Sequence, residues 1–397
     1  MSVSTAVVLA AGEGTRLRPL TRNRPKPMLP AADRPILEHV FDALVTAGMD
    51  RLVCVVGYKH DRVQDHFGPT YRDVPIEYVR QHKQLGSGHA LLQARATVDG
   101  PPLVVNGDRL IDASMVETVA DAYGRQNPAA TMGVVEHPEA SQYGAVAVRN
   151  DEITDIIEKP TTDEYRLING GIYAFDASIF DEIADTPRTA GELALTDTID
   201  RLLDRERVTA VRCEGLWADA TYPWDLLTVA DEVLARGRLA GRERDDGVWV
   251  HDDARIHETA VLRSPAVVGP DSEVAPCAVV GPNAALGRNV TVGPNATIER
   301  SVLDADTRVA AGVTLLDTVT GQDVDVGAGS TAPGGPADVR VGNEVFEDQR
   351  LGAVLADRVT AAGDVTLAPG TLVGPNARLH AGAHVRDQIP EGAEVLR

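Results

Sequence analysis

Aliphatic residues follow two patterns along the 397-residue chain, and the change comes near residue 245. Before it, apolar runs at Ala6–Leu9, Leu52–Val56, Leu103–Val105, Thr131–Val135 and Ile172–Phe175 alternate with helical stripes. Ile36, Leu37, Val40, Phe41, Leu44 and Val45 share one helical face ended by Gly48, and Met115–Gln126 and Leu193–Leu203 have the same spacing. Buried strands alternating with helices predict an α/β, Rossmann-like domain over residues 1–245, closed by a linker helix, with a mostly parallel sheet covered on both faces. Such sheets place ligands beyond the carboxyl ends of their strands.

After residue 245 the pattern is an internal repeat. Ile256, Leu262, Val268, Val274, Val280, Leu286, Val292 and Ile298 recur every six residues, with Gly and Pro-Asn or Arg-Asn between. An irregular interval follows, and the period resumes at Leu355, Ala361, Leu367, Val373, Leu379 and Val385. One inward aliphatic per six residues, with turn residues between, predicts a triangular β-solenoid over residues 246–397. A sandwich of short strands would not keep fourteen positions in two such registers.

Composition narrows the partners. Lys plus Arg total 38 against 59 Asp plus Glu, a net charge of −21, and only Lys26, Lys59, Lys83 and Lys159 are lysines. A surface this acidic and lysine-poor suits concentrated salt, which screens its self-repulsion, and it disfavours nucleic acid and anionic membrane. No apolar run approaches the roughly 20 residues that span a bilayer, and no signal-peptide pattern opens the chain, so a soluble, cytoplasmic protein is expected. Cys54, Cys213 and Cys277 lack metal-site or disulfide spacing and are expected to be small buried hydrophobes.

Against that acidity, residues 9–30 read LAAGEGTRLRPLTRNRPKPMLP. Gly12 and Gly14 follow a predicted strand, where the lack of Cβ lets backbone N–H groups approach an anion. Thr15, Arg16, Arg18 and Lys26 stand close by, and Pro25 and Pro27 stiffen the backbone around Lys26. A stiff cation beside a glycine loop suits a polyphosphate.

This stretch closely resembles the signature of the sugar-1-phosphate nucleotidylyltransferases, and further segments agree in order. The resemblance implies that Ala11, Gly12, Gly14 and Thr15 bind the nucleotide's phosphates together with Arg16, and that Lys26 holds the α-phosphate. Gln81–Ala90, QHKQLGSGHA, resembles the base-recognition segment of uridylyltransferases that make UDP-N-acetylglucosamine, which implies that Gln81, Gly86 and Ser87 meet the base of UTP or dTTP. Gly144, Glu158, Lys159 and Asn169 match sugar-phosphate contacts, and Asp108 and Asp219 match the carboxylates that hold Mg²⁺. The reaction implied is attack of a sugar 1-phosphate on the α-phosphorus of a nucleoside triphosphate, giving a nucleotide sugar of the UDP-glucose, dTDP-glucose or UDP-N-acetylglucosamine type and pyrophosphate.

The repeats resemble hexapeptide-repeat domains, which implies a left-handed coil and a homotrimer. The resemblance extends to bifunctional enzymes, archaeal type included, whose solenoid acetylates glucosamine 1-phosphate with acetyl-CoA. The Gly327–Gly329 turn of that site is present, but Ala311 stands in the place of its histidine base and Arg350 in the place of its lysine. Neither can serve as a base near neutral pH. Two alternatives stay open at this point: a bifunctional enzyme using another base, and a non-catalytic regulatory subunit.

Overall fold

The computed structural model describes residues 3–126, 128–158, 160, 164–237, 239 and 241–396. It divides into two compact units, Met1–Glu13 with Ile36–Ala218, and Gly14–Pro35 with Asp219–Arg397.

The first unit is built on one sheet. In chain order its strands are β1 (Thr5–Ala10), β2 (Arg51–Val56), β3 (Thr70–Tyr71), β4 (Val74–Arg80), β5 (Leu103–Asn106), β6 (Ala130–Glu136), β7 (Gly144–Arg149), β8 (Glu152–Glu158), β9 (Leu167–Phe175) and β10 (Val208–Arg212). They lie in the order β7-β8-β10-β6-β9-β5-β1-β2-β4-β3. The block β5-β1-β2-β4 is parallel, as is the pair β6-β10, while β9 runs antiparallel between β5 and β6. All five predicted runs are strands, and Ala6, Val7 and Val8 of β1 are fully buried, as continuous apolar strands should be. Strands β4 and β8 expose several residues each, Pro75, Glu77 and Arg80 in β4 and Glu152, Thr154, Asp155 and Glu158 in β8, and therefore carry no long apolar run.

Helices α1 (Ile36–Thr46), α2 (His60–Phe67), α3 (Ser87–Gln93), α4 (Ala113–Gln126), α5 (Ile179–Ala184) and α6 (Leu195–Leu203) complete this unit. Helix α1 buries Ile36, Leu37, Val40, Phe41 and Leu44, and Gly48 ends the turn beyond it at a φ of 86°. Among the described residues no helix is long and apolar enough to cross a membrane.

The second unit contains helix α7 (Asp225–Arg236) and a three-sided β-solenoid whose faces hold nine, eight and seven strands among the described residues, all parallel except the first, Arg242–Asp245, which runs antiparallel to Val248–Val250. Strand stacking sets the repeat. Val268 pairs with Leu286 one coil on, 18 residues away, and Leu286 with Leu303, 17 away. Every one of the fourteen predicted inward positions lies in one core, with Ile256 and Leu262 partly buried at its end.

The irregular interval proves to be the same solenoid. Leu303, Val309, Leu315, Val326 and Ala332 continue the buried core, but two turns are one residue shorter, and the hairpin Pro336–Val341/Glu344–Arg350 is inserted before Leu355. Thr320 takes one inward position, fully buried, where its hydroxyl pairs with that of Thr307 at 3.0 Å and accepts the Asp304 N–H. A polar inward residue and a five-residue step both erase the period in sequence.

Left-handed backbone recurs at the turns, with φ from 55° to 59° at Asp271, Cys277, Asn283, Asn289 and Asn295. Asn and Asp bear this conformation readily, which explains the Pro-Asn pairs. Cys54 and Cys213 are buried as expected, but Cys277 is exposed, because it occupies one of these turn positions rather than an inward one.

Candidate active site

The glycine-loop residues of the second unit form a cradle around Lys26. Gly14 has a φ of 65°, and a Cβ there would meet the Lys26 Cβ at 2.7 Å, so only glycine allows this approach. Thr21 holds the loop closed by donating its hydroxyl to the Gly14 carbonyl at 2.8 Å. Lys26 opens a 3₁₀ turn, Lys26–Met28, between its two prolines. Its Nζ lies 2.5 Å from Oδ1 of Asp219, with both side chains largely buried. The structure thus joins two predicted site residues that are 193 positions apart in the chain. Thr15 and Arg16 line a cavity of about 800 Å³, together with Arg18, Arg22 and Tyr222.

Asp225 was not anticipated. As the first residue of α7 it accepts the N–H groups of Thr221 and Tyr222 at 2.8 and 2.7 Å, fixing the chain just after Asp219. Burial pushes its carboxyl up to about 6, against the opposing effect of those two bonds. The sequence signal was the second aspartate of WADATYPWD, six residues after the first.

In the first unit the predicted base-recognition residues are directly bonded. Gln81, buried at the end of β4, donates its amide to the Gly86 carbonyl at 3.1 Å and to Nδ1 of His89 at 2.9 Å. Burial, with Arg188 nearby, pushes the His89 imidazole down, which favours its neutral form. Gly86 has a φ of 99°, and a Cβ there would lie 2.4 Å from the Leu193 carbonyl oxygen. The Ser87 hydroxyl accepts the Leu195 N–H at 3.0 Å. Gln81, Tyr58, Arg80 and Gln84 line a cavity of about 350 Å³ beyond the carboxyl ends of β2 and β4. Ala11, just past β1, accepts bonds from the Tyr58 N–H and the Gln84 amide at 3.3 and 3.2 Å. Gly12 follows it with open space where a Cβ would stand.

Gly144, Glu158 and Asn169 also converge. Gly144 pairs with Glu158 across β7 and β8, and a Cβ on Gly144 would lie 3.2 Å from the Glu158 carboxylate and 4.0 Å from the Asn169 Cβ. Asn169 is held rigidly: its Oδ1 accepts the Gly171 N–H and the Tyr173 hydroxyl at 3.0 and 2.8 Å. Lys159 lies outside the described residues.

Arg109 and Trp217 belong to this region although sequence reasoning missed them. Arg109 donates to the Asn169 carbonyl at 3.2 Å and lies over the Trp217 ring, 5.6 Å from its centroid. Trp217 bonds the Gly170 carbonyl at 2.9 Å and packs edge-on against His137 and Tyr143. Their neighbours in sequence, Asp108 and Asp219, were the available signal.

Asp108 is half-buried in the turn between β5 and the short strand Arg109–Ile111. The Gly107 before it packs so tightly that a Cβ would meet Val8 at 2.9 Å. Among the described residues no three acidic, histidine or cysteine groups cluster as a metal cage. Mg²⁺ commonly takes one or two carboxylates with substrate phosphates completing its shell, and the carboxylate of Asp108, like that of Asp219, offers hard oxygen ligands of that kind.

The solenoid residues tied to acetyl transfer have structural surroundings. Ala311 is an exposed turn residue whose carbonyl accepts the Gly329 N–H at 3.1 Å. Arg350 donates Nε to the buried Asp317 carboxylate at 3.0 Å, and Asp317 also receives the Gly335 N–H at the base of the inserted hairpin.

Two family models match successive segments of the chain, and the first of them takes in residues 14–35 and 219–236, which pack within the second compact unit. Residues 5–236 match the family model described as Nucleotidyl transferase, and residues 245–389 match that of the GMPPB C-terminal domain. A "Bifunctional protein GlmU" of Methanococcus maripaludis is 35% identical over 99% of this chain and 97% of its own length. The UTP–glucose-1-phosphate uridylyltransferase AglF of Haloferax volcanii is 41% identical over 55% of this chain and 92% of its own. Among solved structures, a UTP-bound UGPase from Acinetobacter baumannii superposes with a TM-score of 0.53 at 26% identity, covering 59% of this chain and 93% of that one. With the family model spanning more than half the chain and full-length relatives beside it, the chain belongs to the nucleotidyl transferase family, as one of its sugar-1-phosphate nucleotidylyltransferases.

Proposed function

We propose that the chain joins UTP or dTTP to glucose 1-phosphate or N-acetylglucosamine 1-phosphate, acting in the cytoplasm, and that its solenoid is left-handed and trimer-forming. The observation that carries the chemistry is the buried Lys26–Asp219 pair in its Gly14 cradle. The phosphate of a sugar 1-phosphate is largely a dianion near neutral pH, so its oxygen needs no general base. That oxygen forms a bond to the α-phosphorus, the bond from the α-phosphorus to the bridging oxygen breaks, and pyrophosphate leaves with the electron pair.

Charge builds on phosphate oxygens throughout, so fixed cations are what the reaction demands. Lys26 neutralises the α-phosphate; Arg16 and the Gly12–Thr15 backbone bind the β and γ groups. Gln81, Gly86 and Ser87 meet the base, the Gln81–Gly86 bond holding their geometry ready. Glu158, Gly144 and Asn169 receive sugar hydroxyls, and Lys159 takes the sugar phosphate. Asp108 and Asp219 hold Mg²⁺, which supplies charge neutralisation on the phosphates when bound. The likeness to a uridylyltransferase at 41% identity supports the pyrimidine assignment.

Full-length relatives named bifunctional raise a second activity, acetyl transfer. Ala311 offers no base there, and the loss of a general base costs about 10²–10⁴ in rate. The test is a matrix of triphosphates against sugar 1-phosphates scored by pyrophosphate release, with coenzyme A release from acetyl-CoA and glucosamine 1-phosphate measured alongside. UTP or dTTP should give the highest kcat/KM, with negligible coenzyme A. A purine triphosphate in first place would overturn the base assignment; coenzyme A release as fast as pyrophosphate release would establish the second activity.

A further inference from the structure

We propose that Arg24 is a positioning residue for nucleotidyl transfer, and that the solenoid thereby sets the placement of Lys26. The inference rests on the role given to Lys26 above and adds how that role is maintained. Arg24 is 3% exposed. Its guanidinium bonds Asp304 through one terminal nitrogen and Asp357 through the other, the latter at 2.9 Å. These carboxylates come from different coils, 280 and 333 positions along the chain. Asp357 is itself fixed, since its Oδ1 also accepts the Gln322 N–H at 3.0 Å.

What Arg24 holds is transmitted. Only Pro25 separates it from Lys26, and that proline has a fixed φ and restricts the residue before it. The Met28 N–H then bonds the Pro25 carbonyl at 2.9 Å, closing the turn on which Lys26 sits. The other half of the pair is attached to the solenoid as well. Phe346 of the inserted hairpin packs on Tyr222 and Trp224, with ring centroids 4.4 and 5.3 Å away, just after Asp219. Solenoid contacts therefore flank the Lys26–Asp219 pair on both chain segments. A forked guanidinium held by two anchored carboxylates fixes direction as well as distance, which a lysine could not do.

The test uses the full chain. Removing the whole cluster in Arg24→Met/Asp304→Asn/Asp357→Asn leaves no unpaired buried charge, so the fold should survive. Since a misplacement of about 1 Å can cost about 10²-fold, kcat should fall by about 10- to 100-fold with KM for UTP changed by less than about threefold. Arg24→Lys, which keeps charge without the fork, should lose several-fold. Val274→Ala, a nearly fully buried substitution in the solenoid core 30 residues before Asp304, should lower the unfolding temperature and leave kcat unchanged. Wild-type kcat in both Arg24 variants, with Lys26→Ala inactive, would overturn the positioning role alone. Activity persisting in Lys26→Ala would overturn the role of Lys26 and this proposal with it.

Discussion

Replacing Lys26 by alanine is expected to lower kcat/KM by about 10³-fold, the upper end of what losing one preorganised charge-stabilising donor costs. Several features make this position sensitive. The ammonium is held at 2.5 Å from Asp219, so its reach is fixed before substrate arrives. The neighbouring prolines limit backbone adjustment, and the Gly14 contact leaves no room for the chain to shift inward. Lys26→Arg should rescue poorly, because a planar fork does not reproduce a compact ammonium in so close a cradle. Folding is followed separately, since Lys26→Ala removes the ammonium from beside the buried Asp219 carboxylate. Steady-state pyrophosphate release within tenfold of wild type would show that another cation carries the α-phosphate.

Asp108→Asn is expected to lower kcat by about 10²–10³-fold with little change in unfolding temperature, matching the several kcal/mol of charge stabilisation a bound metal contributes. The amide keeps the volume of the carboxylate at the end of β5 but loses its charge. Excess chelator should abolish turnover in the wild-type protein, and added Mg²⁺ should restore it. Full activity in chelator would overturn the metal assignment for Asp108 and Asp219 together.

Legibility in the sequence followed burial. Runs such as Val7–Leu9 and Val53–Val56 announced strands because both faces are covered, whereas β4 and β8, each next to an edge strand, expose several residues and left no run to see. The solenoid was readable wherever its step was six residues, and lost where two five-residue steps and the inward Thr320 broke phase. Within the site, Gln81 with Gly86, and Gly144 with Glu158 and Asn169, stood in recognisable motifs and do come together. The Lys26–Asp219 bond was not readable as a bond, since a contact across 193 positions depends on the fold. Arg24 was invisible for the same reason: its partners are two ordinary turn aspartates until the coils stack. Cys277 misled because a residue's usual burial says nothing of a turn that recurs every six positions.

The most direct test of the central claim is the stereochemical course at the α-phosphorus, measured by ³¹P NMR with a chiral α-thio analogue of UTP and glucose 1-phosphate or N-acetylglucosamine 1-phosphate. A single in-line displacement held by Lys26, Arg16 and the two aspartates predicts a nucleotide sugar with inverted configuration. Retention would require a covalent nucleotidyl-enzyme and so contradict direct attack of the sugar phosphate on the α-phosphorus.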